Sequence, residues 1–183
     1  MATVHAGMTM SLDGFVADRN GSTTRLSDPA ARRGSKYTTA LIQATGAVVM
    51  GKRTFAMAAD PDWFVGNYEF QVPIFVLTHT PPPVLPKQGE HLTFTFVTDG
   101  VQSAIAKAKA AAGGRAVQVL GASVVQQVLR AGLADELDVD VAPVLLGAGL
   151  RLFDDPDLEG VTLSKAGVQE VGAITSLPFL VVK

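Results

Sequence analysis

Apolar and polar positions fall into short runs whose periods differ, and the periods name the elements. Thr3–Met10 runs into Ser11-Leu12-Asp13-Gly14 and then Phe15-Val16-Ala17. This predicts a first strand that resumes after a bulge or tight bend at Asp13-Gly14. Asp18–Ser35 is polar and reads as loop, and Lys36–Thr45 is compatible with helix. Ala47–Met50 is an apolar run that stops at Gly51, the mark of a buried strand, and a helix is expected straight after it over Thr54–Ala59. Pro73–Leu77 is another buried strand, and Leu92–Val97 alternates threonine with apolar residues as a further one. Between them the prolines of Thr78–Gln88 forbid helix and ladder pairing, leaving a surface loop.

Asp99 is placed to cap a helix over Val101–Ala112, which Gly113-Gly114 end. Ala116–Leu120 is a strand, Gly121 follows at once, and Val124–Leu129 repeats apolar residues at helical spacing. Leu137–Val141 (LDVDV) alternates, so one of its faces is wet. Val161–Gln169 and Ile174–Val182 read as a closing antiparallel pair. Strands that alternate with helices and then run alone predict an α/β, three-layer sandwich. Its central sheet is mostly parallel, with antiparallel C-terminal edge strands.

Length and composition narrow the class. The 183 residues suit one domain, 1–183. With no cysteine, disulfides, thiolate zinc sites and cysteine nucleophiles are excluded. The 15 Lys and Arg against 17 Asp and Glu leave a net charge of −2, which argues against a general nucleic-acid binder. No run reaches the roughly 18 uninterrupted apolar residues of a membrane helix. The N-terminal MATVHAGMTMSLDGF lacks the pattern of a secretory signal, so a cytoplasmic protein is expected. His5 and His91 stand alone, and no metal is expected. Asp135 and Glu136 point to opposite faces of a strand and cannot share a proton.

Candidate chemistry lies at two strand-to-helix junctions, Met50-Gly51-Lys52-Arg53-Thr54 and Leu120-Gly121-Ala122-Ser123-Val124. A helix start presents unpaired N–H groups, and glycine lets a phosphate come close to the backbone. Lys52 and Arg53 add cations, and Thr54 and Ser123 add hydroxyls. Two such junctions suit a ligand with several phosphates, such as a dinucleotide; the alternative is a pair of ordinary turns, since neither is a GxGxxG or Walker motif.

Four strings, SLDGFVA, VVMGKRTF, PIFVLT and VLGASVVQQVLRAGLADELDVDVAPVLLGAGLRLF, occur in this order over nearly the whole chain. Together they resemble the dihydrofolate-reductase-like fold and, within it, stand-alone forms of the C-terminal reductase domain of bifunctional riboflavin-biosynthesis enzymes. The resemblance implies NADPH as cofactor. Gly51, Lys52, Arg53 and Thr54 match the phosphate-contacting turn, with Lys52 where a cation meets the 2′-phosphate. Leu77 and Thr78, followed by His79, match the segment flanking the adenosine, and Gly121, Ala122, Ser123 and Val124 match the pyrophosphate-facing turn. Gly147-Ala148-Gly149 after Pro143 matches a structural PVxxGxG turn. Two departures stand out: Ala122 replaces the second of two glycines, and Leu120 stands where pyrimidine reductases carry an acid.

Asp13 is the remaining candidate for catalysis and substrate contact, hydrogen-bonding a heterocycle N–H or relaying a proton through water; the alternative is that it stabilises its own bend. Trp63 either stacks on a substrate ring or covers a core edge. The implied activity is NADPH-dependent reduction of a small heterocyclic substrate, similar to 5-amino-6-(5-phosphoribosylamino)uracil reductase. The alternatives are dihydrofolate reductase activity and a non-catalytic NADPH-binding or sensing protein, the latter motivated by Leu120 and Ala122. The deaminase half of the bifunctional enzymes is excluded, because it needs a cysteine zinc site. Family members are often homodimers, and LDVDVAPVLL has apolar residues to bury, so a homodimer is expected; no membrane or nucleic-acid partner is.

Overall fold

Strand β3 (Thr45–Gly51) shows why a covered parallel sheet forms. Ala47 and Val49 enter one apolar cluster and Val48 and Met50 another, so the strand needs cover on both faces. In the computed structural model, which describes residues 2–32 and 34–183, β3 lies between β4 (Ile74–Leu77) and β6 (Ala116–Leu120), parallel to both. β5 (Phe94–Val97) continues the sheet beyond β4. Beyond β6 come β1 (Val4–Ser11) and β7 (Glu136–Ala142), again parallel. The last strand, β11 (Ile174–Val182), runs antiparallel to β7. Its outer edge pairs with β10 (Gln169–Val171) at one end and β9 (Thr162–Lys165) at the other.

Helices α5 (Val101–Ala111) and α6 (Ala122–Arg130) cover the face that carries Ala47 and Val49. The opposite face is covered by α2 (Lys36–Ala44), by two single turns, α3 (Lys52–Phe55) and α4 (Phe64–Asn67), and by an aromatic cluster. Phe55 stacks on Phe64 with ring centroids 5.5 Å apart, and Phe94 meets both rings edge-on. Such pairs add stability beyond their buried area, about 0.5–1.5 kcal/mol each. The result is an α/β, three-layer, mostly parallel sheet with antiparallel edge strands, as the hydrophobic pattern predicts.

Four expectations need correction. The helix expected over Thr54–Ala59 is only the turn α3. Pro61 disfavours helix in the residue before it, and the Asp60 carboxylate accepts from the Asp62 N–H to start a separate 3-10 turn. Asp99 does not cap α5: Gly100 takes that position at φ +101, and the Asp99 carboxylate accepts from Ser103 Oγ and Lys107 Nζ further along the helix. The strand expected over Val161–Gln169 breaks at residues 166–168 into β9 and β10, so the closing pair is three strands. The Asp18–Ser35 segment holds a 3-10 turn at Thr24–Leu26 and the short α1 (Pro29–Arg32); Arg33 within it lies outside the described residues.

The chain does bend tightly at Asp13-Gly14, with Gly14 at φ +88. The strand after it, β2 (Phe15–Asp18), leaves the main sheet and pairs with β8 (Gly149–Arg151) in a two-stranded sheet. β7 lies inside the main sheet, and Leu137, Val139 and Ala142 are buried in the fold's own core. Val141, the remaining apolar residue of LDVDV, is half-buried against the same core.

Candidate functional site

Six parallel strands bring their carboxyl ends to one edge, and most of the residues singled out from sequence lie there. β3 and β6 are neighbours, with Met50 opposite Leu120. The chain leaves β3 towards β4 and leaves β6 towards β7, so this is the point where strand order reverses. Ligands in open α/β sheets bind at such a point.

The two glycine turns touch each other there. A Cβ on Gly121 would lie 2.5 Å from Thr54 Oγ1 and 3.8 Å from the Gly51 nitrogen. A Cβ on Gly51 would lie 3.1 Å from a methyl of Val124. Gly121 also sits at φ +96, a conformation that side-chain-bearing residues rarely adopt. Its N–H donates to Met8 Sδ at 3.1 Å, and its carbonyl accepts from the Val124 and Val125 N–H groups, opening α6. The amides of Ala122 and Ser123 therefore fall in the first turn, where a helix offers no internal acceptor. α6 runs for 9 residues, long enough to carry a dipole, whereas α3 has one turn and does not. What α3 supplies is charge: Lys52 and Arg53 are both exposed at its start.

The other residues take varied positions. Leu77 ends β4 and packs on the core. Thr78 is buried, and its hydroxyl donates to the Thr80 carbonyl, closing its own turn; His79 is exposed beside it. Ser123 is exposed, and its hydroxyl accepts from Gln127 Nε2 at 3.2 Å. Ala122 and Val124 are buried on the underside of α6. Trp63 is 48% exposed and meets Phe64 edge-on at 5.9 Å, on the rim of the aromatic cluster.

Asp13 ties two distant segments together. Its carboxylate accepts from Ser11 Oγ at 2.5 Å, from the Gly147 N–H at 2.7 Å and from the Leu146 N–H at 3.1 Å. The Ser11 hydroxyl, followed by those two amides, holds its pKa down from 3.8 to about 2. Such a group is an anion throughout the physiological range and holds no proton to give. The β7–β8 loop is thereby fixed against the bend after β1. Gly149 completes the junction: a Cβ there would meet the Ala17 carbonyl oxygen at 2.0 Å.

Sequence reasoning missed a second group of polar side chains. On the sheet face opposite α5 and α6, Gln118 in β6 is 3% exposed, and its Oε1 has no hydrogen-bond partner among the described residues. Its Nε2 reaches to 3.0 Å from where a Cβ on Gly7 would be, and the Asp138 Cβ lies 3.7 Å from the same point. Burial pushes the Asp138 carboxyl up from 3.8 to about 6, with Glu136 and Asp140 adding repulsion and His5 opposing it. The wet face of LDVDV was the available signal; the lone glutamine within AVQVL was not recognised.

Comparison with known proteins agrees with the fold. The chain is 26% identical over 175 residues to an uncharacterized protein, YwjB, of Bacillus subtilis (strain 168), covering 94% of each. It superposes on a putative riboflavin biosynthesis protein from Shewanella sp. PV-4 with a TM-score of 0.79 at 24% identity, covering 100% of both chains. It also matches a diaminohydroxyphosphoribosylaminopyrimidine deaminase/5-amino-6-(5-phosphoribosylamino)uracil reductase from Thermotoga maritima. That match has a TM-score of 0.67 at 14% identity and covers 99% of this chain and 57% of the other. Residues 2–177 match the model of the RibD C-terminal domain, and the chain belongs to that family.

Proposed function

We propose that residues 1–183 act as one domain, an NADPH-dependent reductase of a small heterocyclic substrate of the 5-amino-6-(5-phosphoribosylamino)uracil kind. The observation that carries this reading is the contact between the Gly51 and Gly121 turns at the point where strand order reverses. The junction suits a dinucleotide: Gly121 lets the Thr54 turn pack against it, the first amides of α6 face no internal acceptor, and Lys52 and Arg53 stand beside it.

When bound, the nicotinamide supplies a hydride to an electron-poor carbon of the substrate. The chain supplies the rest. Ala122 and Ser123 offer backbone N–H groups to the pyrophosphate, and Val124 holds the helix start against Gly51. Lys52 serves as a point charge for the 2′-phosphate, with Arg53 and Thr54 beside it. Leu77 and Thr78 shape the adenosine side, where His79 is exposed. Asp13 positions the β7–β8 loop next to the nicotinamide edge, and Trp63 offers an exposed ring at the rim. We take the working form to be a homodimer, which a mass measurement in solution tests.

The test of function has two stages. NADPH titrated into the protein should change its fluorescence and saturate. The complex should then lose nicotinamide absorbance with the phosphoribosylamino-uracil and not with dihydrofolate. Turnover of dihydrofolate would transfer the assignment to that substrate. Saturable binding with no turnover of either would favour a sensing role.

A further inference from the structure

The polar strip on the sheet face opposite α5 and α6 lies beside α2. The Tyr37 hydroxyl on α2 lies 3.4 Å from Ser176 Oγ on β11, while Leu41 and Ile42 pack into the aromatic cluster over β3 and β4. Between β11 and β3 lie β7, β1 and β6, so the contacts of α2 bracket all three. Yet none of its 9 residues is buried. A helix packed onto a sheet ordinarily buries an apolar stripe. Beneath this one lie Gln118, Gly7 and Asp138 in adjacent strands.

Gln118 is the informative residue. A buried amide oxygen with no partner costs about 1–3 kcal/mol, and buried polar groups in native proteins nearly always have one. Gly7 has no side chain, and the point its Cβ would occupy lies 3.0 Å from the Gln118 amide nitrogen and 3.7 Å from the Asp138 Cβ. The other charged or titratable groups on this face are His5 on β1, Glu136 and Asp140 on β7, and Tyr37 on α2; His5 Nε2 lies 3.4 Å from Glu136 Oε1.

We propose that Gln118 and Asp138, which flank Gly7 on the α2 side of the sheet, form the recognition edge for a flat heterocycle that presents a ring N–H beside a carbonyl. The Gln118 oxygen accepts from the ring N–H and its amide nitrogen donates to the carbonyl; below about pH 6, where burial keeps the Asp138 carboxyl protonated, that group donates alongside. Recognition by a buried polar pair of this sort rejects an analogue lacking the matching group. The pair deepens the reductase reading, on which it rests, by naming the residues that select the substrate ring.

Diaminouracil and its ring-N-methylated derivative, which lacks the N–H edge, are the probes, measured by titration calorimetry with and without NADPH. Diaminouracil should bind at least tenfold more tightly than the methylated compound. Gln118→Leu should abolish that preference while leaving NADPH affinity and the thermal midpoint unchanged, or raising the midpoint. Gln118→Met repeats the test should the leucine variant fold poorly. Asp138→Asn should keep diaminouracil binding but remove its weakening as pH rises through about 6. Equal affinity for the two probes, wild-type binding by the Gln118 variants, or no diaminouracil binding by the wild type would each overturn the assignment. Failure of NADPH to bind would instead remove the reductase reading, and the cofactor-free titration would still decide the role of Gln118.

Discussion

Thr54 Oγ1 sits 2.5 Å from the point that a Cβ on Gly121 would occupy, so the turn after β3 and the turn after β6 form one surface. Two separate costs follow for Gly121→Ala: strain at φ +96 and a collision with the threonine hydroxyl. The strain alone is worth about 1–3 kcal/mol. Thr54→Ala removes only the collision, because the next contacts lie at 3.7 and 3.8 Å. Denaturant unfolding of the single and double variants should therefore show favourable coupling, with the double variant more stable than the sum of the singles predicts. Additive effects would mean that the two turns do not press on each other.

Asp13 should contribute stability in a defined pH window. Its folded-state pKa of about 2 lies below the ordinary 3.8, so the contribution is fully present above about 4 and is lost as pH falls towards 2. The urea midpoint of the wild type should exceed that of Asp13→Asn at pH 6, and the gap should close on acidification. Amide exchange at Leu146 and Gly147 should quicken in the variant, because those two N–H groups lose a charged acceptor.

Lys52→Ala should weaken NADPH binding by roughly tenfold and leave NADH binding within about twofold, the size expected for one hydrogen bond to a charged group. The NADPH loss should shrink as salt is added, since Lys52 is exposed. Fluorescence titrations at two ionic strengths read both effects. An equal loss for the two cofactors would assign the lysine to the pyrophosphate instead.

Gly149 and Gly147 both have positive φ but differ in what surrounds them. A Cβ on Gly149 would strike the Ala17 and Asp18 backbone at 2.0 and 2.8 Å, whereas Gly147 has open space. Gly149→Ala should thus cost clearly more thermal stability than Gly147→Ala and should detach β8 from β2. Melting curves of the two variants, read beside amide exchange in β2, check this.

Local pattern carried most of the fold because its strands are buried on both faces, and Val48, Val49 and Met50 leave little choice of period. It failed where local geometry went another way: α3 stops after one turn at Phe55, and Gly100 displaced Asp99 from the cap. The glycine turns were legible as glycines, though their contact was not, since Thr54 and Gly121 meet only through sheet order. Asp13 was legible as a bend residue, while its partners Leu146 and Gly147 lie far along the chain. Gln118 was hidden because one polar residue in an apolar strand says nothing about what faces it.

NADPH titration of the purified protein, followed by nicotinamide fluorescence and repeated with Gly121→Ala, shows whether the joined glycine turns hold the cofactor. Saturable binding is expected of the wild type, with a loss of at least tenfold in the variant while it remains folded. No binding by the wild type, or equal binding by a folded Gly121→Ala, would contradict it.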